Sequence, residues 1–291
     1  MSNYVIITPA HNEEDFLELT IKSMVAQTIR PSRWVIVDDA STDRTPAIIK
    51  EWSEKYPFIQ VLTLQRENER NFARKAIAFN SGLKTLSGVS YDYVGCIDAD
   101  MSFDPDYFKN ILHAFAEDPK LGISGGIVYT KYTDKFITYD NTVDSVGGKV
   151  QLFRKACFES VGGYIPLKHG GIDTAAEVMA RMNGWTVRKS FTDKTYEHRR
   201  TSFAWGPPLK AKVREGSHFH SLGYDPLFYT FRCFYRLAEY PFVIGSMSAL
   251  WGYLGRMIRR EPILLPAEVV SFLRNEQRAK LRKAFAFRSR E

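Results

Sequence analysis

Four short, mostly apolar runs alternate with helical segments through residues 4–116, and this alternation limits the fold more than any other feature of the sequence. None of the runs alternates strictly between apolar and polar residues, so each is typical of a strand buried on both faces. The runs are Tyr4 to Thr8, Trp34 to Val37, Ile59 to Leu64 and Tyr91 to Ile97. Helices are predicted to near Gln27 and over Thr45 to Lys55, Asn71 to Leu86 and Asp106 to Ala116. The pattern therefore predicts an α/β fold with a mostly parallel, Rossmann-like sheet flanked by helices.

Polar residues follow three of these strands directly. They are Asn12-Glu13-Glu14, Asp38-Asp39 and Asp98-Ala99-Asp100. Because ligands of such sheets bind outside the carboxyl ends of the strands, we expect all three segments to line one crevice. The sequence has neither a Gly-x-Gly-x-x-Gly nor a Gly-x-x-x-x-Gly-Lys loop, which argues against a dinucleotide-binding oxidoreductase and a P-loop enzyme.

The acids Asp98 and Asp100 stand one residue apart at the end of an apolar strand. Two neighbouring carboxylates repel each other and are costly to bury, so they require a cation, such as a divalent metal that also holds phosphate oxygens. The structural alternative is that Asp98 caps a helix and Asp100 is a solvated turn residue.

Three ordered segments resemble the family 2 glycosyltransferases, which are inverting sugar-nucleotide enzymes with a GT-A fold. The segments are Ile7 to Glu14, Val35 to Asp43 and Ile97 to Asp100, and the resemblance covers residues 1–200. It implies that Asp39 binds the nucleobase and that Asp98 and Asp100 form the DxD motif, which holds Mg²⁺ or Mn²⁺ against the donor diphosphate. A carboxylate can accept a hydrogen bond from the ring N–H of uracil, thymine or guanine, which agrees with this role for Asp39.

A basic residue near Arg74 neutralises the diphosphate in that family. Arg66, Arg70, Arg74 and Lys75 are all present here, and we choose Arg74 among them, although four cations on a loop and helix are often only surface residues. The predicted contacts of the nucleotide-sugar donor are Pro9, Ala10, Asn12, Glu13, Asp39, Arg74, Asp98 and Ala99.

The segment Gly170 to Trp185 resembles the family's helix with an acid at its start and a glycine-aromatic stop. The family usually has Glu-Asp there, whereas this chain has Ile172-Asp173. Inverting transfer needs one general base to take the proton of the attacking hydroxyl, and Asp173 is the candidate. Asp173 could instead cap the helix, in which case Glu177, one turn later, is the fallback base.

A histidine after the next strand completes the metal shell in several metal-dependent members of the family. His198 occupies this position and is the candidate third ligand beside Asp98 and Asp100. The alternative is a histidine with a structural role.

The last third of the chain differs in composition from the rest. Residues 199–291 contain 17 Lys and Arg against 7 Asp and Glu, a net charge of +10, whereas residues 1–198 carry −3. The run from Pro241 to Leu254 has no charged residue, but its 14 residues are too short to span a bilayer. It fits either a helix lying in the membrane interface or a helix packed on the catalytic domain. No nucleic-acid-binding motif is present, so we predict no nucleic-acid partner.

We therefore predict a GT-A catalytic domain over residues 1–200, with a nucleotide-binding half (1–100) and an acceptor-binding half (101–200). A helical, basic and aromatic C-terminal extension follows over 201–291. The predicted activity is inverting transfer of a hexosyl or deoxyhexosyl group from a UDP, dTDP or GDP sugar to a glycan or lipid-linked acceptor, in polysaccharide assembly. The alternative is a non-catalytic nucleotide-sugar-binding or scaffold protein on the same fold.

The expected location is the cytoplasm, with peripheral contact between residues 226–291 and the inner face of the cell membrane. The 3 cysteines, Cys96, Cys157 and Cys233, are far apart and fit a reducing compartment. The N-terminal residues enter a strand directly, with no signal-like apolar segment.

Overall fold

The computed structural model describes residues 3–65, 72–138, 142–199, 208–238 and 241–288, so Arg66 and Arg70 lie outside the described residues. The chain forms two compact units. The first unit comprises Met1–Lys168 and Ile172–Arg200, and the second comprises His169–Gly171 and Thr201–Glu291.

The first unit contains one sheet with helices between its strands. Its strands are β1 (Tyr4–Ala10), β2 (Arg33–Asp39), β3 (Ile59–Leu64), β4 (Tyr93–Ile97), β5 (Met101–Phe103), β6 (Leu121–Tyr132), β7 (Lys135–Ile137), β8 (Val150–Arg154) and β9 (Thr186–Glu197). Its helices are α1 (Leu17–Val25), α2 (Thr45–Lys55), α3 (Ala73–Lys84), α4 (Tyr107–Glu117), α5 (Lys155–Val161) and α6 (Ile172–Met182).

The strands lie in the order β3-β2-β1-β4-β8-β6-β9-β5, and β7 pairs with β6. The first four are parallel to one another, as the sequence predicts. Strand β8 runs antiparallel to both β4 and β6, while β6 and β9 are parallel, so the second half of the sheet is mixed. Since β1 lies between β2 and β4, the carboxyl ends of these three strands are neighbours.

Two segments form structure that their local patterns do not predict. The local pattern of Val187 to Lys189 and Lys194 to Glu197 is that of two short strands, but both belong to the single strand β9, whose pairing with β6 shifts register between Gly126 and Ile127. Residues 101–103 follow the two acids with the pattern of a turn, but they form β5, which pairs antiparallel with the end of β9. Both differences depend on partners distant in the sequence, which local patterns do not contain.

The main core lies against the sheet and buries the faces of α1 and α4, among them Leu17, Ile21 and Phe115. Trp34 of β2 is fully buried, and its indole N–H donates to Thr8 Oγ1 at 2.9 Å. Burying side chains of this size stabilises a fold by about 1.5–3 kcal/mol each. The carboxyl ends of β1, β2 and β4 are therefore anchored in a closely packed core.

The second unit is helical, with α7 (Pro208–Ser221), α8 (Pro226–Tyr235), α9 (Phe242–Ile258) and α10 (Ala267–Arg288). Helices α7 and α9 approach so closely that a Cβ on Gly216 would collide with the Ala249 carbonyl oxygen, and one on Gly252 with the Val213 carbonyl oxygen. Tyr229 stacks on Tyr253 in the small core, with ring centroids 4.6 Å apart. Among the helices described, none is long and apolar enough to cross a membrane.

Candidate active site

Asp39, the last residue of β2, and Arg74, near the start of α3, meet side chain to side chain. Arg74 Nε donates to Asp39 Oδ2 at 3.0 Å, and Nη2 bonds the other carboxylate oxygen. The hydrogen bond to Asp39, which outweighs partial burial, raises the pKa of Arg74. Both residues were predicted to contact the donor, and the structure brings them together as a bidentate ion pair at the strand ends.

The loop after β1 is tied to the loop after β2 by backbone and side-chain bonds. Asn12 has a left-handed φ of 55°, and its Oδ1 accepts from Thr42 N at 2.8 Å. Glu13 N donates to Thr45 Oγ1 at 2.7 Å, and a His11 ring nitrogen lies 2.8 Å from the Asp39 carbonyl oxygen. These bonds fix the place from which the Glu13 side chain extends.

Glu13, Asp98 and Asp100 form a cluster of acids, with Arg199 as a counter-charge. Arg199 forms an ion pair with Glu13, and its Nε lies 3.4 Å from Asp100 Oδ2. Burial, followed by the charges of Asp98 and Glu197, raises the pKa of Asp100 to about 6. Burial also raises the pKa of Glu13 to about 7, although Arg199 acts in the opposite direction. The cluster thus carries more buried negative charge than Arg199 compensates.

The acids fit a divalent cation of the Mg²⁺ type. In the part of the chain that the structure describes, no group of three or more His, Cys, Asp or Glu could by itself hold a metal ion. Mg²⁺, however, is commonly bound through one or two carboxylates, with phosphate and water oxygens supplying the rest. Asp98 and Asp100, with the raised pKa of Asp100, are a donor set of this kind.

His198, the predicted third ligand, lies beside Asp100 in the backbone but turns its ring elsewhere. His198 N donates to the Asp100 carbonyl oxygen at 2.9 Å, whereas the ring Nε2 lies 2.8 Å from Ser102 Oγ. The ring also meets Phe136 edge to face, and burial, followed by the charge of Lys131, lowers its pKa. A neutral imidazole is the form that binds metals.

Lys75, Lys149 and Arg199 are cations of the site that sequence reasoning did not select. Lys75 forms an ion pair with Asp98 and donates from Nζ to the Gly148 carbonyl oxygen at 2.7 Å. Burial lowers the pKa of Lys75, but the charge of Asp98, its hydrogen bond to Lys75 and the other acidic groups nearby together outweigh burial, so the pKa lies above its ordinary value. Lys149 forms an ion pair with Glu197. Each of these three cations is therefore paired with at least one acid.

Asp173, the candidate base, lies in the first turn of α6 and points to a separate segment of chain. Its Oδ2 accepts from Gly148 N at 3.0 Å. A Cβ on Gly148 would lie 2.7 Å from that oxygen, so only glycine leaves room for the contact. Because α6 begins at Ile172, Asp173 is inside the helix and is not the residue that precedes it.

Glu177, the fallback base, is only 3% exposed and is enclosed by protein groups. Its Oε1 accepts from Val146 N at 2.6 Å and from Gln151 Nε2 at 3.2 Å. Burial, followed by the charge of Asp173, raises its pKa to about 8. A buried carboxyl group with these partners holds its neighbours in position and is poorly placed to meet an acceptor.

Residues 146–149, which we call the clamped segment, lie between Asp98 and Asp173 in the hydrogen-bond network. The Glu177 carboxyl group accepts from Val146 N, the Asp173 carboxylate accepts from Gly148 N, and Lys75 donates to the Gly148 carbonyl oxygen. At the other end, Asp98 N donates to the Lys149 carbonyl oxygen at 2.9 Å. The clamped segment (residues 146–149) therefore fixes the position of Asp173 relative to Asp98.

The pKa of Glu177 predicts a pH dependence of stability. The folded protein keeps the proton up to a pH of about 8, whereas the unfolded chain loses it near 4.5. As the pH rises from about 4.5 to about 8, the free energy of unfolding should therefore decrease. This group contributes at most about 1.4 kcal/mol per pH unit to that decrease. Glu177→Gln, which cannot ionise, should flatten that slope in urea denaturation. Because other acids contribute equally to both proteins, parallel curves for the two would contradict the assignment.

The chain matches known proteins in sequence. The family model described as glycosyl transferase family 2 matches residues 5–171, more than half of the 291 residues. The poly-beta-1,6-N-acetyl-D-glucosamine synthase of Staphylococcus aureus (strain MSSA476) is 28% identical over 181 residues, which cover 56% of this chain and 42% of that protein. The synthase of the same name from Staphylococcus epidermidis is 28% identical over 171 residues, covering 52% and 39%. The match thus spans less than half the length of these relatives.

Solved structures share the fold at low identity. The mannosyltransferase PcManGT from Pyrobaculum calidifontis, in complex with GDP-Man and Mn²⁺, aligns with a TM-score of 0.56 and 16% identity over 96% of this chain and 80% of that one. TarS 1–349 from S. aureus, in complex with UDP-GlcNAc, gives 0.52 and 15% over 88% and 73%. The predicted GT-A fold is confirmed by these neighbours. The chain belongs to glycosyl transferase family 2.

Proposed function

We propose that the chain transfers a hexosyl or deoxyhexosyl group from a nucleoside diphosphate to an acceptor hydroxyl with inversion, and that Asp173 is the general base. The observation that carries the proposal is the clamped segment, which joins Asp173 to Asp98 through Gly148 and Lys149. A base must be held near the bond that forms, and effective molarity rises steeply with such positioning. A non-catalytic scaffold would have no use for an acid held beside the donor site.

The donor would lie along the ends of β1, β2 and β4. Asp39 would accept a hydrogen bond from the nucleobase. Arg74, which the resemblance assigned to the diphosphate, pairs with Asp39 and would orient its carboxylate instead. Asn12 and Glu13 would contact the donor from the loop after β1. Pro9, Ala10 and Ala99 would contact the donor through their main chain. UDP, dTDP and GDP donors all present the ring N–H that Asp39 would need. The GDP-Man and UDP-GlcNAc bound to the structural neighbours support this donor class.

Asp98 and Asp100 would hold Mg²⁺ or Mn²⁺, and the Mn²⁺ of PcManGT supports this choice. The bound cation would stabilise the negative charge of the departing diphosphate. His198 would become a third ligand if its ring left Ser102. Lys75 and Arg199, which pair with the same acids, would neutralise phosphate oxygens.

In the transfer itself, the acceptor hydroxyl gives its proton to an Asp173 carboxylate oxygen while its oxygen attacks the anomeric carbon. The bond from that carbon to the diphosphate oxygen breaks on the opposite face, and the nucleoside diphosphate leaves with the electron pair. The configuration at the anomeric carbon is therefore inverted.

The acceptor we propose is a glycan or a lipid-linked saccharide in polysaccharide assembly. The poly-beta-1,6-N-acetyl-D-glucosamine synthases among the relatives support an acceptor of this class. With a lipid-linked acceptor the enzyme would act at the inner face of the cell membrane, with residues 226–291 in peripheral contact.

The test is nucleotide binding followed by thermal shift with UDP, dTDP and GDP sugars in Mg²⁺, in Mn²⁺ and in chelator. Asp100→Ala should weaken binding of the preferred nucleotide by about tenfold or more in Mn²⁺, because a charged ligand group is lost. Asp104→Ala is the control, since that acid is exposed and lies four residues further on. Equal affinities of wild type and Asp100→Ala would refute the metal assignment. Donor binding without transfer to any acceptor would favour the scaffold.

A further inference from the structure

Helix α9 of the second unit exposes a row of large apolar side chains. Their exposed fractions are 62% for Ile244, 63% for Met247, 70% for Trp251 and 74% for Ile258. Successive spacings of three, four and seven residues put all four on one helix face. Phe242 and Val243 at the start of the helix are also exposed, at 63% and 51%. We call the face formed by Ile244, Met247, Trp251 and Ile258 the α9 apolar face.

The opposite side of α9 already has its packing partners within the unit. Gly252 lies against the Val213 backbone of α7, and Ala249 lies against Gly216. Tyr253, which is 2% exposed, stacks on Tyr229 of α8. The helix is therefore held in the unit by its small-residue side, and the α9 apolar face contributes little to the core. An exposed apolar patch of this length marks an interaction surface.

Cations accompany this face. Residues 201–291 carry 15 Lys and Arg against 7 Asp and Glu, a net charge of +8. Arg259 and Arg260 follow directly after α9 and are exposed. Helix α10 adds exposed Lys280, Arg282 and Lys283. The partner of the unit must therefore tolerate both apolar side chains and a strong positive charge.

We propose that the α9 apolar face docks on an anionic lipid surface, with α9 lying in the headgroup boundary. Trp, Met and Ile on one face with arginines at the helix end suit that boundary, where apolar side chains enter the acyl region and cations meet phosphates. A second copy of the unit would bring another +8 against the first and is therefore disfavoured as the occupant. The inference deepens the proposed function by naming the surface that would bring the enzyme to a lipid-linked acceptor, and it rests on that function only in this respect.

The experiment is co-sedimentation of the full chain with vesicles of phosphatidylcholine plus phosphatidylglycerol, and with vesicles of phosphatidylcholine alone. The wild type should bind the anionic vesicles about tenfold or more tightly than vesicles of phosphatidylcholine alone. Added salt should weaken binding to the anionic vesicles. Met247→Asp should weaken binding to the anionic vesicles by about tenfold or more, because it puts a charge on the face that would enter the acyl region of the lipid. Val61→Asp is the matched control, with the same charge change at a residue that is 44% exposed in the first unit.

Trp251 provides a direct readout. Brominated lipids should quench the tryptophan fluorescence of the wild type, and Trp251→Phe should lose most of this quenching. Equal vesicle binding by wild type, Met247→Asp and Val61→Asp would overturn the proposal. So would wild-type self-association in sedimentation velocity that Met247→Asp abolishes without any vesicle binding. Nucleotide binding measured on the same proteins tests the donor site separately, so failure of one proposal is distinguishable from failure of the other.

Discussion

Replacing Asp173 with Asn should lower turnover by about 10³-fold, within the range that general-base catalysis contributes. The amide has the same shape and can still accept the hydrogen bond from Gly148 N, which lies 3.0 Å from the carboxylate in the wild type. It cannot take a proton from the acceptor hydroxyl. Nucleotide affinity should therefore remain unchanged while the rate at saturating donor collapses, as initial rates and isothermal titration would measure.

Glu177→Gln is the matched control for this loss, because Glu177 lies one turn along the same helix. Its Oε1 accepts two hydrogen bonds in the protein, and a glutamine oxygen can accept the same two. We expect nearly full turnover from this variant. If Glu177→Gln lost turnover and Asp173→Asn kept it, the two roles would have to be exchanged.

Gly148→Ala should lower turnover by about 10²-fold with little change in nucleotide affinity. The new Cβ would fall 2.7 Å from Asp173 Oδ2 and 2.8 Å from its Cβ, so one group must move. The segment cannot easily yield, since Lys75 holds the Gly148 carbonyl oxygen and Asp98 N holds that of Lys149. A displacement of about 1 Å at a catalytic group can cost this much rate.

Gly147→Ala tests whether the effect belongs to that contact. A Cβ on Gly147 would meet nothing within 4 Å, although it makes the same chemical change one residue earlier. Its turnover should stay near that of the wild type, and melting temperatures of both variants would report any general loss of stability. Similar losses in the two variants would show that the clamped segment does not set the position of the base.

Local patterns were enough to predict the order of helices and strands in the first half of the fold, but β3 is an edge strand with Val61 44% exposed and is not buried on both faces. Helix Thr45–Lys55 and strand Ile59–Leu64 lie where their apolar periodicity and flanking turns put them. Strand β9 could not be predicted as one continuous strand from local patterns, because its continuity depends on a register shift opposite Gly126 of β6. The three residues of β5 carry no signal of their own and become a strand only by pairing with the end of β9.

The sequence predicts the acids of the candidate site and Arg74, but it does not predict which acid each cation binds. Asp39, Asp98 and Asp173 stand at strand ends and a helix start, where topology brings functional groups together. Arg74 and Lys75 are adjacent in sequence, yet the first binds Asp39 and the second Asp98. Neighbouring helix positions point about 100° apart, so their partners follow from tertiary packing and not from composition.

The clamped segment separates the hairpin of β6 and β7 from Asp173, the proposed base. The hairpin of β6 and β7 precedes it, so changes in the length or composition of that hairpin need not reach Asp173. Hydrogen bonds to Glu177, Asp173, Lys75 and Asp98 anchor residues 146–149 between that hairpin and the proposed base. On the proposed mechanism, the hairpin could therefore change in length or composition while the position of Asp173 relative to Asp98 stays the same.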